Sequence, residues 1–340
     1  MTQKARHVLV YDVGGSHVSA AVCAEKTYDL RGLSRAPLPA DAATVEGGAG
    51  HSISAHSFGR LIRTLGDSAL RAANVELEEI AGAALAMPGP FDYENGISRM
   101  RHKLQALYGV DLKTALAVRF CWEPAQMRFV NDAAAFLLGE VGAGAARGFR
   151  KAIGITLGTG IGCAYATEGR IAVPSDKPGG DPGVPPGGEI WNLPYKGVTV
   201  EDFVSTRYLR KHYLELTGLE AEVSDVAAIA LCREDVPCPP LEETLARQRG
   251  VVQTSASKIA AKAARQAFAD FGAHLGGALN QHAARFGPDV VVLGGGIARA
   301  AHLFLPATRQ ALTFATEIAI SVLMDEAPLA GAGVAWFNAE

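Results

Sequence analysis

Val8-Leu-Val-Tyr-Asp-Val-Gly-Gly-Ser-His-Val-Ser-Ala-Ala-Val-Cys23 and Ala152-Ile-Gly-Ile-Thr-Leu-Gly-Thr-Gly-Ile-Gly-Cys-Ala-Tyr165 share one grammar. Each is an apolar run, a glycine turn and a second apolar run, which reads as strand, turn and strand. Two such hairpins far apart in the chain indicate an internal duplication in which each copy opens its own lobe. The cleft between the lobes is then the expected place for a ligand. A third apolar strand, Asp289-Val-Val-Val-Leu293, runs into Gly294-Gly-Gly296.

Working outward, 340 residues suit two lobes, each long enough to bury a core. An apolar share of 49% with 38 glycines fits a compact α/β protein rich in tight turns. The net charge of -3, with both signs interleaved, offers no basic face for nucleic acid and no polybasic anchor for a membrane. The start, Met1 through His7 and straight into Val8 to Tyr11, resembles no signal peptide, so a cytoplasmic protein is expected. Five cysteines (Cys23, Cys121, Cys163, Cys232, Cys238) are odd in number and read as reduced, mostly core thiols.

Along the chain, Phe58 to Ala73 has helical spacing, and Gly82 to Met87 is a buried strand before the turn Pro88-Gly-Pro90. A strand ends at Val130, and Ala133 to Leu138 is helical, which places Asn131 and Asp132 at a strand-to-helix junction. The first lobe is expected over 1–133 and the second over 134–327, with a C-terminal helix over 328–340 packing back on the first. Pro174 to Pro186 reads as loop, and Ser257 to Arg285 as a long helix with Ile259, Ala263, Phe268, Phe271, Leu275 and Leu279 at helical steps.

The chemistry-bearing candidates sit at the strand ends. Gly14 and Gly15 beside Ser16, Gly158 and Gly160 around Thr159, and Gly294, Gly295 and Gly296 each present bare backbone N–H groups. Such turns make an anion nest for nucleotide phosphates without lysine or arginine. The plain alternative is that glycine turns only join strands. Neither a Gly-x-Gly-x-x-Gly fingerprint nor a Gly-Lys-Ser/Thr loop is present, and the first two turns lead back into strands. Asp12 can hold the magnesium of a nucleotide through water, or simply satisfy turn N–H groups. Asp132 is a candidate general base for a hydroxyl nucleophile, or a helix N-cap. Glu189 and Glu201 flank a short loop, where carboxylates either take vicinal sugar hydroxyls or are solvated charges.

These residues resemble the ROK family (repressors, open reading frames and kinases). Asp12-Val-Gly-Gly-Ser16 and Leu157-Gly-Thr-Gly-Ile-Gly162 are similar to its two phosphate motifs. Ala86-Met-Pro-Gly-Pro90, which includes Gly89, resembles its sugar-side loop, and Val130-Asn-Asp-Ala133 its catalytic motif. Gly188-Glu-Ile190 resembles the opening of its signature, and Val292-Leu-Gly-Gly-Gly296 its adenosine motif. The resemblance implies a two-lobed actin-like ATPase (ribonuclease H-like) fold with a central cleft. It also implies ATP with Mg²⁺ near Asp12, and a hexose, glucose foremost, as phosphoryl acceptor. Asn131 and Asp132 would contact the sugar with Asp132 as base, Glu189 and Glu201 would bind further hydroxyls, and a homodimer is the family's habit.

One region departs from the family pattern. Where Gly-Glu-Ile-Gly-His and a cysteine-rich zinc site are usual, this chain reads Gly188-Glu-Ile-Trp-Asn-Leu-Pro-Tyr-Lys-Gly-Val-Thr-Val-Glu201. Asn192 stands at the histidine position, available to hydrogen-bond sugar or backbone. No structural zinc is expected, since the stretch has neither Cys nor His. Trp191, Leu193, Pro194 and Tyr195 are expected to hold the loop by apolar packing. Lys103-Leu104 stands where Asn-Leu is usual. A non-catalytic sugar sensor or regulator of the same fold is the alternative to a kinase; a retained Asp132 argues for catalysis. An ATPase acting on protein partners would have no use for the Glu189 and Glu201 pair.

Overall fold

The computed structural model describes residues 7–38, 53–101, 104–231 and 253–338. The strands are β1 (His7–Val13), β2 (His17–Ala24), β3 (Leu30–Pro37), β4 (Ile80–Met87), β5 (Phe91–Asp92), β6 (Ile97–Ser98), β7 (Met127–Asn131), β8 (Lys151–Leu157), β9 (Ile161–Thr167), β10 (Arg170–Ile171), β11 (Pro194–Tyr195), β12 (Val198–Thr199), β13 (Val290–Gly294) and β14 (Glu317–Ile320). The α-helices are α1 (Ala55–Ala73), α2 (Leu112–Phe120), α3 (Asp132–Ala143), α4 (Thr206–Thr217), α5 (Val223–Ala230), α6 (Gln253–His282), α7 (Ala301–Ala311) and α8 (Ala327–Phe337).

The first sheet runs β3-β2-β1-β4-β7 and the second β10-β9-β8-β13-β14. In both, an antiparallel three-strand meander is joined through its first strand to two strands that arrive later in the chain. The shared order is the structural form of the duplicated hairpin. In the first sheet β1 is antiparallel to β2, opposing Asp12 and Ser19, and β4 runs parallel to both β1 and β7. Parallel neighbours bring the C-terminal ends of β1, β4 and β7 to one edge, and those ends carry Asp12, Met87 and Asn131.

The chain divides into two compact units: Met1–Gly154 with Tyr165–Ile171 and Ser321–Glu340, and Ile155–Ala164 with Ala172–Ile320. The division runs through β8 and β9. The sequence reading closed the first lobe at residue 133; the observed unit also takes in α3, because α3 packs closely on α8. Small residues permit this approach: a Cβ on Gly139 would lie 2.1 Å from the Ala327 carbonyl oxygen, and one on Gly331 would overlap that of Ala135.

Within unit 1 the central strand is apolar on both faces, as expected of a strand covered on both sides. Leu9, Tyr11 and Val13 pack with Phe58, Ile62 and Leu65 of α1, whereas Val8 and Val10 pack with Leu329, Ala332 and Trp336 of α8. Ser54 caps α1 by accepting the Ser57 N–H, and Asn74 ends it in a left-handed conformation.

Within unit 2, α6 presents Phe268, Phe271, Leu275 and Leu279 to the core, as their spacing predicted, but Ile259 is 65% exposed. Nine residues before Phe268 is about two and a half helical turns, which puts Ile259 on the opposite side of the helix from the apolar stripe. α6 packs on α7, where Gly272 and Gly276 lie against the Phe304 and Thr308 carbonyls. Of the cysteines, Cys23 and Cys163 are buried, but Cys121 is exposed at the left-handed C-cap of α2. Cys232, Cys238 and Lys103 lie outside the described residues.

Candidate active site

In unit 1 the strand-to-helix junction resolves the roles of two adjacent residues. Asn131, not Asp132, is the N-cap of α3: its Oδ1 accepts the Ala134 N–H at 3.0 Å. The capping alternative for Asp132 is thereby corrected, since Asp132 is the first residue of the helix and its Oδ1 accepts the adjoining Ala133 N–H at 2.9 Å. Polar residues compete for caps through φ and ψ, and residue 131, still extended at φ -62° and ψ 141°, has the required geometry. The other end of the Asn131 amide donates to the Tyr93 hydroxyl at 3.0 Å, which donates to the Met87 carbonyl at 3.2 Å. Gly89 lies over this arrangement; a Cβ there would sit 3.4 Å from the Tyr93 hydroxyl and 3.9 Å from Asn131 Nδ2.

Asp12 stands at the end of β1, two strands over from the β7 junction with β4 between them. Burial, and next the Asp132 carboxylate, push its carboxyl up to about 7; Asp325 adds to the rise and Arg35 opposes it. A carboxyl raised by burial and by like charges is one that a cation would relieve. No group of three or more Asp, Glu, His or Cys among the described residues is close enough to hold a metal directly. Asp325 and Arg35 carried no sequence signal. Asp325 is placed by buried Glu140, which accepts from Ser321 Oγ at 2.5 Å and from the Leu323 N–H at 3.3 Å.

The first glycine turn also lies in unit 1. The Gly14 N–H donates to the His17 carbonyl at 2.9 Å, Ser16 Oγ lies 2.9 Å from His17 Nδ1, and a Cβ on Gly15 would meet nothing within 4 Å.

The second and third turns lie in unit 2. Gly158 donates to the Gly160 carbonyl at 2.9 Å. A Cβ on Gly158 would meet only that same carbonyl, at 4.0 Å, and one on Gly296 would meet nothing. None of Gly15, Gly158 and Gly296 has a positive φ, so neither backbone conformation nor protein packing requires glycine there. Gly295 differs: its φ is +82°, and a Cβ would lie 2.5 Å from the Leu157 carbonyl oxygen, so it joins β13 to the end of β8. Gly294 ends β13. Beside Thr159 a cavity of about 380 Å³ is lined by Thr206, Arg207, Arg210, Lys211 and Leu214.

The loop that departs from the family pattern forms the β11–β12 hairpin. Tyr195 is its buried anchor. The ring meets Phe203 and His274 edge-on, with centroids at 5.5 and 5.9 Å, and its hydroxyl lies 3.3 Å from His274 Nδ1. Gln281 and His282 both approach the Pro194 carbonyl at 3.0 Å. The expected apolar packing is thus concentrated at Tyr195, while Trp191 is 42% exposed and Pro194 is bound through its carbonyl. The Trp191 indole N–H donates to Glu189, and Asn192 is exposed. Glu201 follows the hairpin, its N–H donating to the Trp191 carbonyl at 3.1 Å, and its Oε2 accepts the Ile161 N–H at 3.3 Å, against the second glycine turn.

The pattern of the ROK family matches residues 59–336. This chain belongs to the ROK family. A glucokinase of Thermotoga maritima is 29% identical over 269 residues, which are 75% of this chain and 78% of that protein. The ROK hexokinase of Thermus thermophilus aligns over 98% of this chain and 99% of its own, with a TM-score of 0.68 at 22% identity. The ROK glucokinase of Streptomyces griseus, solved with glucose and AMPPNP, covers 96% and 97% with a TM-score of 0.62 at 19% identity. The fold of this ROK protein is the actin-like ATPase fold of those sugar kinases. Among its described residues, no helix is long and apolar enough to cross a membrane.

Proposed function

We propose that this protein is an ATP-dependent sugar kinase that transfers the γ-phosphoryl group to a hydroxyl of a hexose, glucose being the first candidate. The observation that carries the reading is the junction at Asn131 and Asp132. Asn131 performs the capping, so residue 132 is not required as the cap, and its carboxylate stands close enough to Asp12 to raise that carboxyl. A carboxylate so placed is suited to take the proton from an attacking hydroxyl. Asn131, held through Tyr93, and Gly89, which leaves room above it, would orient the sugar. Glu189 and Asn192 would offer further hydrogen bonds to its hydroxyls.

On the donor side, Gly15, Gly158 and Gly296 lack side chains that neither φ nor neighbours exclude. Close approach of a ligand supplies the missing reason, because phosphate oxygens reach bare N–H groups only where no Cβ intervenes. Gly14, Ser16, Thr159, Gly160, Gly294 and Gly295 complete these turns. Mg²⁺ would be held through water near Asp12 and neutralise charge on the transferring group. The relatedness to a glucokinase over three-quarters of the chain supports the same reading.

The test is ADP release coupled to a spectroscopic signal, over a panel of hexoses, with and without Mg²⁺. Sugar-dependent release that Asp132→Asn abolishes supports the kinase. Tight sugar binding with no ADP release from any sugar replaces it with the sensor reading.

A further inference from the structure

Trp191 is bonded to both of the glutamates that bracket the loop departing from the family pattern. Its indole N–H donates to Glu189 Oε2. Its carbonyl accepts the Glu201 N–H at 3.1 Å. One link is made by the side chain and the other by the backbone. The usual family residue at this position is glycine, as in Gly-Glu-Ile-Gly-His against Gly188-Glu-Ile-Trp-Asn192 here. A glycine can make the backbone link, but only this chain's tryptophan can make the link to Glu189.

The fold does not require that link. A buried indole N–H needs a protein partner, but Trp191 is 42% exposed and water would serve it. The loop is held by other means. Leu193 N–H donates to the Ile190 carbonyl at 3.1 Å and Val200 N–H to the Leu193 carbonyl at 3.0 Å, while Ile190 and Val200 are buried. Tyr195 anchors the hairpin against Phe203 and His274. The backbone under Trp191 is thus fixed without its side chain, and the indole stands on a rigid base. What it adds is a set direction for the Glu189 carboxylate, which sits on a long side chain with rotamer freedom to lose when a ligand binds. Setting that direction beforehand removes the ordering cost from binding.

The geometry points to Trp191 as a positioning residue for the phosphoryl acceptor: its indole N–H aims the Glu189 carboxylate at a sugar hydroxyl, while its carbonyl holds the backbone that carries Glu201. The inference rests on the proposed function for the identity of the ligand. It assigns to Trp191 a share of sugar affinity that passes through Glu189, and that affinity can be measured without nucleotide and without turnover.

The experiment is calorimetric titration of the full chain with each hexose of the panel, alongside Michaelis constants for ATP and for the hexose that binds most tightly. Trp191→Phe, which keeps a ring and loses the N–H, should weaken that hexose about fivefold, the size expected when one rotamer-rich side chain must be ordered on binding. The Michaelis constant for ATP should stay within about twofold, as for a site that keeps its contacts. Trp191→His, which keeps a ring N–H donor, should restore part of the affinity. In a Glu189→Ala background, Trp191→Phe should have no further effect, because its action passes through that carboxylate. If Trp191→Phe binds hexose as wild type does, or costs as much with Glu189 replaced as with it present, the inference falls and the kinase reading stands. An equal rise in both Michaelis constants signals a general loss of structure and overturns it as well. Hexose binding that depends on Trp191 in a chain that releases no ADP supports the inference and overturns the kinase. Failure of every hexose to bind overturns both. Should Trp191→Phe not fold, Trp191→Ala is set against Trp191→His, and equal affinities overturn the inference.

Discussion

Asn131 Oδ1 accepts the Ala134 N–H at 3.0 Å while Asn131 Nδ2 donates to the Tyr93 hydroxyl at the same distance. One side chain therefore caps α3 and braces the loop after β4. The consequence falls on its neighbour, because a helix already capped by residue 131 does not need residue 132 as its cap.

Asp132→Asn should consequently lower sugar-dependent turnover about 100-fold or more. Its melting temperature should stay within about 2 °C of the wild type, since the cap is untouched. Asn131→Ala should do the converse to stability, costing about 1 kcal/mol through the lost cap. Steady-state rates and thermal melts of the two variants, run side by side, separate the roles. Near-normal turnover in Asp132→Asn would remove the base from the proposed mechanism.

Glycine substitutions should divide into two groups. Gly158→Val puts a side chain into open space and should leave the fold intact while raising the Michaelis constant for ATP. Gly295→Val forces a β-branched residue to φ +82° against the Leu157 carbonyl, and should destabilise the protein whether or not nucleotide is present. Equal effects of Gly158→Val on stability and on the ATP constant would remove the ligand from the explanation.

Asp12 predicts an unusual pH dependence. Its carboxyl is raised in the folded protein to about 7, so the stability linked to its proton is complete below about pH 4 and is lost as pH rises through 7. In the nucleotide-free protein, Asp12→Asn should therefore gain stability relative to wild type between pH 4 and 8, by differential melting across that range. The same variant should lose Mg²⁺-dependent activity. Chelation of wild type should abolish activity and leave folding unaffected, with magnesium alone restoring it; about one zinc per chain by elemental analysis would overturn the zinc-free account.

His274 gives the opposite sign. Burial, assisted by Lys196, lowers its imidazole to about 4, so it is neutral beneath the hairpin at pH 7. Stability is complete above about pH 6.5 and is lost as pH falls toward 4, where the unfolded chain binds the proton first. Wild type should lose melting temperature more steeply than His274→Gln over that interval. Identical slopes would mean that the ring is solvated.

The sequence by itself determined the repeated hairpin, because an apolar run broken by glycines has few other ways to fold, and the two sheets share the same strand order. It also named Asp12, Asn131 and Asp132 as strand-end residues, since the switch from a period of two to a helical period is local. Which of two adjacent polar residues caps α3 was not legible: both can, and the choice depends on the backbone angles at the junction. Asp325 and Arg35 were invisible because nothing near them in sequence marks them, and only tertiary packing through Glu140 and β3 brings them toward Asp12. The position of Glu201 was likewise decided in three dimensions, where a hydrogen bond to an amide 40 residues earlier in the chain sets its carboxylate against the Gly160 backbone. Local periodicity encodes elements, but contacts between distant segments arise only when the whole core closes.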